Sequence, residues 1–468
     1  MTSCSSPWAC RVLPDLAVAG RWLASGLLLG LLLMLGGCGE RSLRPDLARL
    51  YSSEVTGSKP PPVILIHGLM GSRLRDRRTG EEVWPGPLSR LLTSDYRELA
   101  LQGEDDTLEA HALFESAAGR DFYGAIVRTL EQAGQYRPAV AGSTVRPGER
   151  RYYLLLYDWR QDNLQAVRAL DRLIEQIRLD YGQPDLRVDL VAHSMGGLIA
   201  RYYLRYGSVD VLDRNDFPVN GDGAAKVRRT ILLGTPNFGS VTALTGLIDG
   251  VQVGLRRIPP EVLATLPSAP QLFPHALHDW IVTPAGKVLD RDQFSAELWR
   301  RFAWGPFDPT VMARVRAQGG EAAVRELQAR FGVNLERARR FTWALSVPVP
   351  QQTVRLIVFG GNCQLTPARL VVEPTADDFA LRRWPKEVRH PVPGVDLDRL
   401  MLEPGDGTVT KASLLARHEL DPSVPRHRHS FFPLDYSVFL CERHDRLTGN
   451  PSFQDNLLQA LLQVDESS

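Results

Sequence analysis

A chain of 468 residues is long enough for one large domain with insertions or for two to three domains. Hydrophobic residues make up 44% of it, enough to bury a sizeable core. Its 55 basic and 54 acidic residues are spread along the chain and leave a net charge of +1, so there is no electrostatic case for nucleic acid as a partner.

At the N-terminus, Arg11 and Arg21 precede the apolar run WLASGLLLGLLLMLGG, residues 22–37, which stops at Cys38. The run is shorter than the roughly 20 residues that span a bilayer as a helix. Charge, a short apolar block and small residues together describe a secretory signal over residues 1–37. Leu35-Gly36-Gly37-Cys38 also resembles the lipobox of bacterial lipoproteins. That resemblance implies cleavage before Cys38, lipidation of its thiol, and an exported chain anchored to a membrane at the bacterial periplasm or outer membrane. The alternatives are an uncleaved anchor helix, or an ordinary signal followed by an incidental cysteine. Processing would remove Cys4 and Cys10 and leave Cys363 and Cys441 as an even pair in an oxidising compartment. They form either a disulfide or two separate buried thiols.

After a polar linker at residues 39–59, strand-like and helix-like segments alternate. The run VILI, 63–66, reads as a buried strand ending in a turn. Residues 121–133 read as a helix and 152–157 as a second strand. The next helix is marked by Leu164, Val167, Leu170, Ile174 and Ile177 at three- and four-residue spacing, with Asp162 or Asn163 as its cap. Further strands are predicted at 186–192, 227–233, 354–359 and 436–441. A last helix starts near Asn450-Pro451 and buries Phe453, Leu457, Leu458 and Leu461. Short apolar strands alternating with amphipathic helices predict an α/β fold: a mostly parallel sheet with helices on both faces. Its core comprises residues 60–236 and 351–468. Two insertions interrupt the rhythm: polar, glycine-rich sequence at 69–118, and residues 237–350, placed to form a helical cap or lid. The second carries Phe294, Leu298, Trp299 and Phe302 on one stripe, a pattern that favours packing over ligand contact.

Ala192-His193-Ser194-Met195-Gly196 has the form small-x-Ser-x-small, with a predicted strand before it and a helix after. A sharp strand-to-helix turn of this kind projects a serine hydroxyl free of its backbone. The hydroxyl is a poor nucleophile until a base takes its proton. The oxyanion formed on attack needs two backbone N–H donors. Met195, after the serine, supplies one by position, and Leu69, in the turn after the first strand, supplies the other. His193 cannot point at the serine from this turn and reads as a packing or hydrogen-bonding residue.

The triad acid and base should follow in the order Ser, Asp or Glu, His. Asp406, held between Gly405 and Gly407, is the candidate acid; Asp377, Asp378, Asp396 and Asp398 lack such a loop. Asp406 lies more than 40 residues beyond the fifth strand, which requires an insertion there. His444 directly follows the sixth strand and is the candidate base, whereas His418, His427 and His429 fall before that strand. No phosphate loop and no cysteine or histidine set at ligand spacing occurs, so no metal or cofactor is expected.

The stretches IHGLMGSRL, YDWR, AHSMGGLIARYYL, LLGTPNFGS, GDGTV and HDRLTGNPSFQDNLLQALL resemble, in order and spacing, the successive motifs of the lecithin:cholesterol acyltransferase family. The resemblance implies an α/β-hydrolase fold, a triad of Ser194, Asp406 and His444, and oxyanion donors Leu69 and Met195. It also implies a lipid acyl ester as substrate, with hydrolysis or acyl transfer through an acyl-enzyme. Two other readings stand beside it: a carboxylesterase for small soluble esters, and a catalytically silent binding lipoprotein.

Overall fold

Seven strands form one parallel sheet: β1 (Val63–Ile66), β2 (Arg137–Pro138), β3 (Arg151–Leu155), β4 (Val188–His193), β5 (Val227–Leu233), β6 (Arg355–Gly361) and β7 (Tyr436–Leu440). Their order is β7-β6-β5-β4-β1-β3-β2. This computed structural model describes residues 45–57, 61–87, 89–103, 106–117, 119–349, 354–375, 378–416 and 434–463. The leader at 1–37, Cys38, Asp377 and the histidines 418, 427 and 429 lie outside the described residues.

The sheet is apolar on both sides, as a parallel sheet covered on both faces requires. Every residue of β1 is buried, and its side chains alternate: Val63 and Leu65 join one core cluster, Ile64 and Ile66 the other. The first face packs on the helix α3 (Pro451–Leu462), through Phe453, Leu457, Leu458 and Leu461. The second packs on α1 (Asn163–Tyr181) and α2 (Met195–Tyr206). In α1 the residues Leu164, Val167, Leu170, Ile174 and Ile177 are all buried. Asp162 caps α1 by accepting from Leu164 N–H at 2.9 Å, and Gly182 ends it in a left-handed conformation.

Several sequence expectations are corrected. The expected helix over 121–133 is a short α-helix, Gly124–Arg128, that continues as a π-helical turn, Thr129–Ala133. Within the expected linker, Leu47–Leu50 and Ser52–Gly57 are short helices, and they belong to the compact unit that begins at Leu47. Tyr51 and Val55 are buried, and the Tyr51 hydroxyl donates to the Asp455 carbonyl and carboxylate at 2.8 Å. The other unit spans 1–46, of which only Pro45 and Asp46 are described. The segment 69–118 contains a three-stranded antiparallel sheet of Ser72–Asp76, Glu82–Trp84 and Leu108–Leu113. Edge strand β2 has only two residues, one of them proline, as an edge position tolerates. Among the described residues no helix is long and apolar enough to cross a membrane.

The long path from β6 to Asp406 also has a structural answer. Gln364–Pro367 pairs antiparallel with Leu402–Gly405, and Gln364 faces Gly405. That pairing returns the chain to the end of β6 just before Asp406. Cys363 and Cys441 are joined by a disulfide with a Cα–Cα distance of 5.0 Å, linking the segment after β6 to the end of β7. The carboxyl ends of β1, β4, β6 and β7 therefore open onto one crevice.

Candidate active site

Ser194 sits between β4 and α2 with φ 54° and ψ −123°. Such a conformation costs on the order of 1–3 kcal/mol and persists only where the surroundings enforce it. The enforcement is local. Ser194 N–H donates to the Leu233 carbonyl on β5 at 2.8 Å, and its own carbonyl accepts from Gly197 N–H at 3.0 Å. The start of α2 lies directly against β1: a β-carbon on Gly196 would sit 2.5 Å from the His67 carbonyl oxygen and 2.6 Å from that of Ile66. Only glycine fits there, which explains the small residue two positions after the serine. At the other flank Ala192, fully buried in β4, stands opposite Ile66 and Leu232.

The structure brings Ser194, His444 and Asp406 together. His444 Nε2 is 3.0 Å from Ser194 Oγ, and His444 Nδ1 is 2.8 Å from Asp406 Oδ2. Asp406 is buried, and its other oxygen accepts from Thr408 N–H at 2.9 Å and Val409 N–H at 2.7 Å. Its carbonyl accepts from His444 N–H at 3.0 Å, so acid and base are also tied through the backbone. Burial works to raise the Asp406 pKa, but the facing imidazole and the two N–H donors outweigh it and hold the carboxyl below the usual range. Burial likewise works to lower His444, but the Asp406 carboxylate outweighs it and holds the imidazole above its ordinary value. Among the described rivals, Asp378 is exposed, and Asp396 caps the helix Leu397–Met401 through Arg399 N–H.

Leu69 lies in the wall of the pocket beside Ser194. Gly68, just before it, approaches so closely that a β-carbon there would lie 2.8 Å from Ser194 Cβ. Met195 is the first residue of α2, where the helix offers its N–H no partner of its own. Leu69 thus shares the pocket with Ser194, and Met195 follows the serine directly in the chain.

Two motifs scaffold this arrangement rather than react. Tyr157 of YDWR stacks on the buried His67 ring at 4.1 Å and donates to the His67 carbonyl at 2.6 Å. Burial lowers the His67 pKa to about 4, so the ring is neutral. Trp159 Nε1 donates to Ser72 O at 3.2 Å, while buried Arg160 pairs with Asp158 and Asp106 at 2.7 and 2.6 Å. The 67–72 turn is thus held from below. In GTPNFGS, Ser240 Oγ donates to the Thr408 carbonyl at 2.6 Å, and Phe238 N–H donates to Ser413 Oγ at 3.2 Å. These bonds fasten the loop that carries Asp406.

Tyr123 was not legible as part of the site. Its hydroxyl accepts from Gly68 N–H at 2.8 Å and lies 2.7 Å from His193 Nδ1. A tyrosine opening a predicted helix gives no signal of such a long-range contact. His193, read as a packing or hydrogen-bonding residue, does both, since its ring also lies 5.0 Å from that of His444.

A pocket of about 390 Å³ opens beside Ser194 and His444, within the range of small-molecule sites. Its apolar wall comes largely from 69–122, through Leu69, Met70, Trp84, Phe114 and Phe122. Of the segment 237–350, the residues Gln252, Val253 and Gly254 reach it, on the hairpin Val251–Val253 and Arg256–Ile258. The aromatic stripe of that segment packs inward: Trp299 stacks on Phe273 at 5.7 Å and meets Phe331 edge-on at 4.9 Å.

Residues 149–312 match the family model for lecithin:cholesterol acyltransferase. The match includes Ser194 and ends before Asp406 and His444, whose placement rests on the geometry above. Among solved structures, the crystal structure of the Tle4–Tli4 complex matches with a TM-score of 0.56 at 16% identity, covering 86% of this chain and 98% of that one. At that identity the likeness shows the fold. The mature Bacillus licheniformis lipase BlEst2 matches at 12% identity and a TM-score of 0.31, covering 87% of this chain and 93% of its own. EstA from Clostridium botulinum matches at 11% and 0.37, covering 91% and 92%. No curated protein matches the chain.

Proposed function

We propose that this α/β hydrolase, which carries a lecithin:cholesterol acyltransferase family domain over residues 149–312, acts on lipid acyl esters through an acyl-enzyme on Ser194. The observation that supports the reading is the hydrogen-bonded series Ser194, His444, Asp406 at the mouth of an apolar pocket. An acyl chain lies along the apolar wall with its ester carbonyl over Ser194 Oγ. As Oγ attacks, His444 Nε2 takes its proton. Asp406 orients the ring and stabilises the imidazolium that forms. The negative charge on the carbonyl oxygen is met by the N–H groups of Leu69 and Met195, which are fixed before the reaction begins. When the C–O bond breaks, His444 returns the proton to the leaving alcohol. Water or a second alcohol then attacks the acyl-enzyme by the reverse steps, giving a free acid or a new ester. No metal or cofactor enters these steps.

Incubation with a phospholipid, with and without a long-chain alcohol, followed by mass analysis of the products tests this. The expected product is a fatty acid in water alone and additionally a fatty ester when alcohol is present. Turnover of short soluble esters with no release from phospholipid would instead assign a small-ester carboxylesterase. Export and anchoring through lipidated Cys38 belong to the same reading and are carried by the Leu35–Cys38 sequence. They predict that the mature chain starts at a lipid-modified Cys38, seen by mass analysis of the N-terminal peptide, and that Cys38→Ala loses both the modification and the cleavage; an unmodified Cys38 in the parent would contradict them.

A further inference from the structure

The hydroxyl of Tyr123 meets the site at two points. It accepts from Gly68 N–H at 2.8 Å, the residue immediately before the Leu69 donor. It also lies 2.7 Å from Nδ1 of His193, the residue immediately before the nucleophile. The phenol is buried and crosses the His193 ring edge-on at 5.5 Å and 76°. The other side of the contact is the base itself, because the His193 and His444 rings lie 5.0 Å apart at 39°. One oxygen therefore bridges the oxyanion turn and the ring that packs on the catalytic imidazole.

We propose that Tyr123 is a positioning residue: its hydroxyl locks the Gly68–Leu69 turn and the His193 ring on either side of Ser194, keeping the Leu69 N–H aimed at the oxyanion and His444 confined to its working orientation. The proposal rests on the reading of Ser194 as the nucleophile. The proton inventory is consistent with it. Gly68 N–H can only donate, so the phenol oxygen accepts there, and the phenol proton goes to His193 Nδ1. His193 then carries its own proton on Nε2. Burial first, and the neighbouring His444 second, lower the His193 pKa to about 3, while burial pushes the Tyr123 phenol up. Neither group changes charge around neutral pH, so the bridge stays intact while His444 cycles.

An oxyanion donor matters more in the transition state than in the ground state, so misaiming it lowers kcat and spares KM. Tyr123→Phe keeps the ring and removes the bridge. On a soluble chromogenic ester its kcat is expected to fall about 10- to 100-fold with KM within about twofold of the parent. Nitrogen-15 spectra of the unsubstituted protein should show His193 neutral and protonated at Nε2 from pH 5 to 9, a readout that does not depend on how the variant folds. An active parent enzyme with an equally active Tyr123→Phe variant would overturn the proposal alone. So would kcat and KM worsening together with a large loss of thermal stability, or a His193 proton on Nδ1. A parent protein with no esterase activity would overturn the catalytic reading and the proposal with it.

Discussion

At the scale of single residues, the pH response is set by His444. The Asp406 carboxylate holds the folded imidazole above its ordinary value, and only the neutral ring can take the serine proton. kcat/KM is therefore expected to rise with pH through an inflection above the unperturbed histidine value of about 6.5. Asp406→Asn removes the raising charge and leaves burial, so the inflection should move down, alongside a loss of roughly 10⁴ in kcat. A pH–rate profile of the residual activity checks this, and an inflection that does not move would contradict it. The same pair links to stability with opposite signs. The lowered Asp406 contributes above the unfolded carboxylate value and is lost as pH falls through its folded pKa. The raised His444 contributes below the unfolded imidazole value and is lost as pH rises through its folded pKa.

At the scale of elements, local periodicity made some parts readable and long-range pairing hid others. The three- and four-residue spacing in α1 marks the face that is buried. Ile174, fully buried there, should lose about 2–5 kcal/mol of stability on substitution by Ala. Thermal melting checks it, with activity per folded molecule unchanged; a melting midpoint equal to the parent's would contradict the packing described. The antiparallel return that delivers Asp406 was not legible, because it pairs Gln364–Pro367 with Leu402–Gly405 across more than thirty residues. Nor was the π-turn after Gly124–Arg128. There the Thr129 hydroxyl donates back to the Ala125 carbonyl at 2.8 Å, and Gly134 N–H closes on the Thr129 carbonyl at 3.0 Å. Ser194, His444 and Asp406 could be placed from sequence because each follows a strand or sits in a glycine-framed turn. Tyr123 could not, because its role comes from contacts 55 and 70 residues away.

At the scale of the whole molecule, the sheet order places β1 inside the sheet, with β2 and β3 on one side of it and β4 to β7 following on the other. The nucleophile, the oxyanion turn and the base therefore come from strands β4, β1 and β7, and the disulfide ties the β7 end to the segment after β6. The apolar wall beside them is built largely by the first insertion, a division of labour that composition could not reveal, since that insertion is polar overall and turns only selected side chains inward. The central claim is that these parts activate Ser194. Labelling with a fluorophosphonate, followed by peptide mass analysis, tests it most directly. The adduct should appear on the peptide containing Ser194, vanish in Ser194→Ala and form far more slowly in His444→Ala. A folded protein that stays unmodified, or one whose label persists elsewhere after Ser194→Ala, would contradict the account.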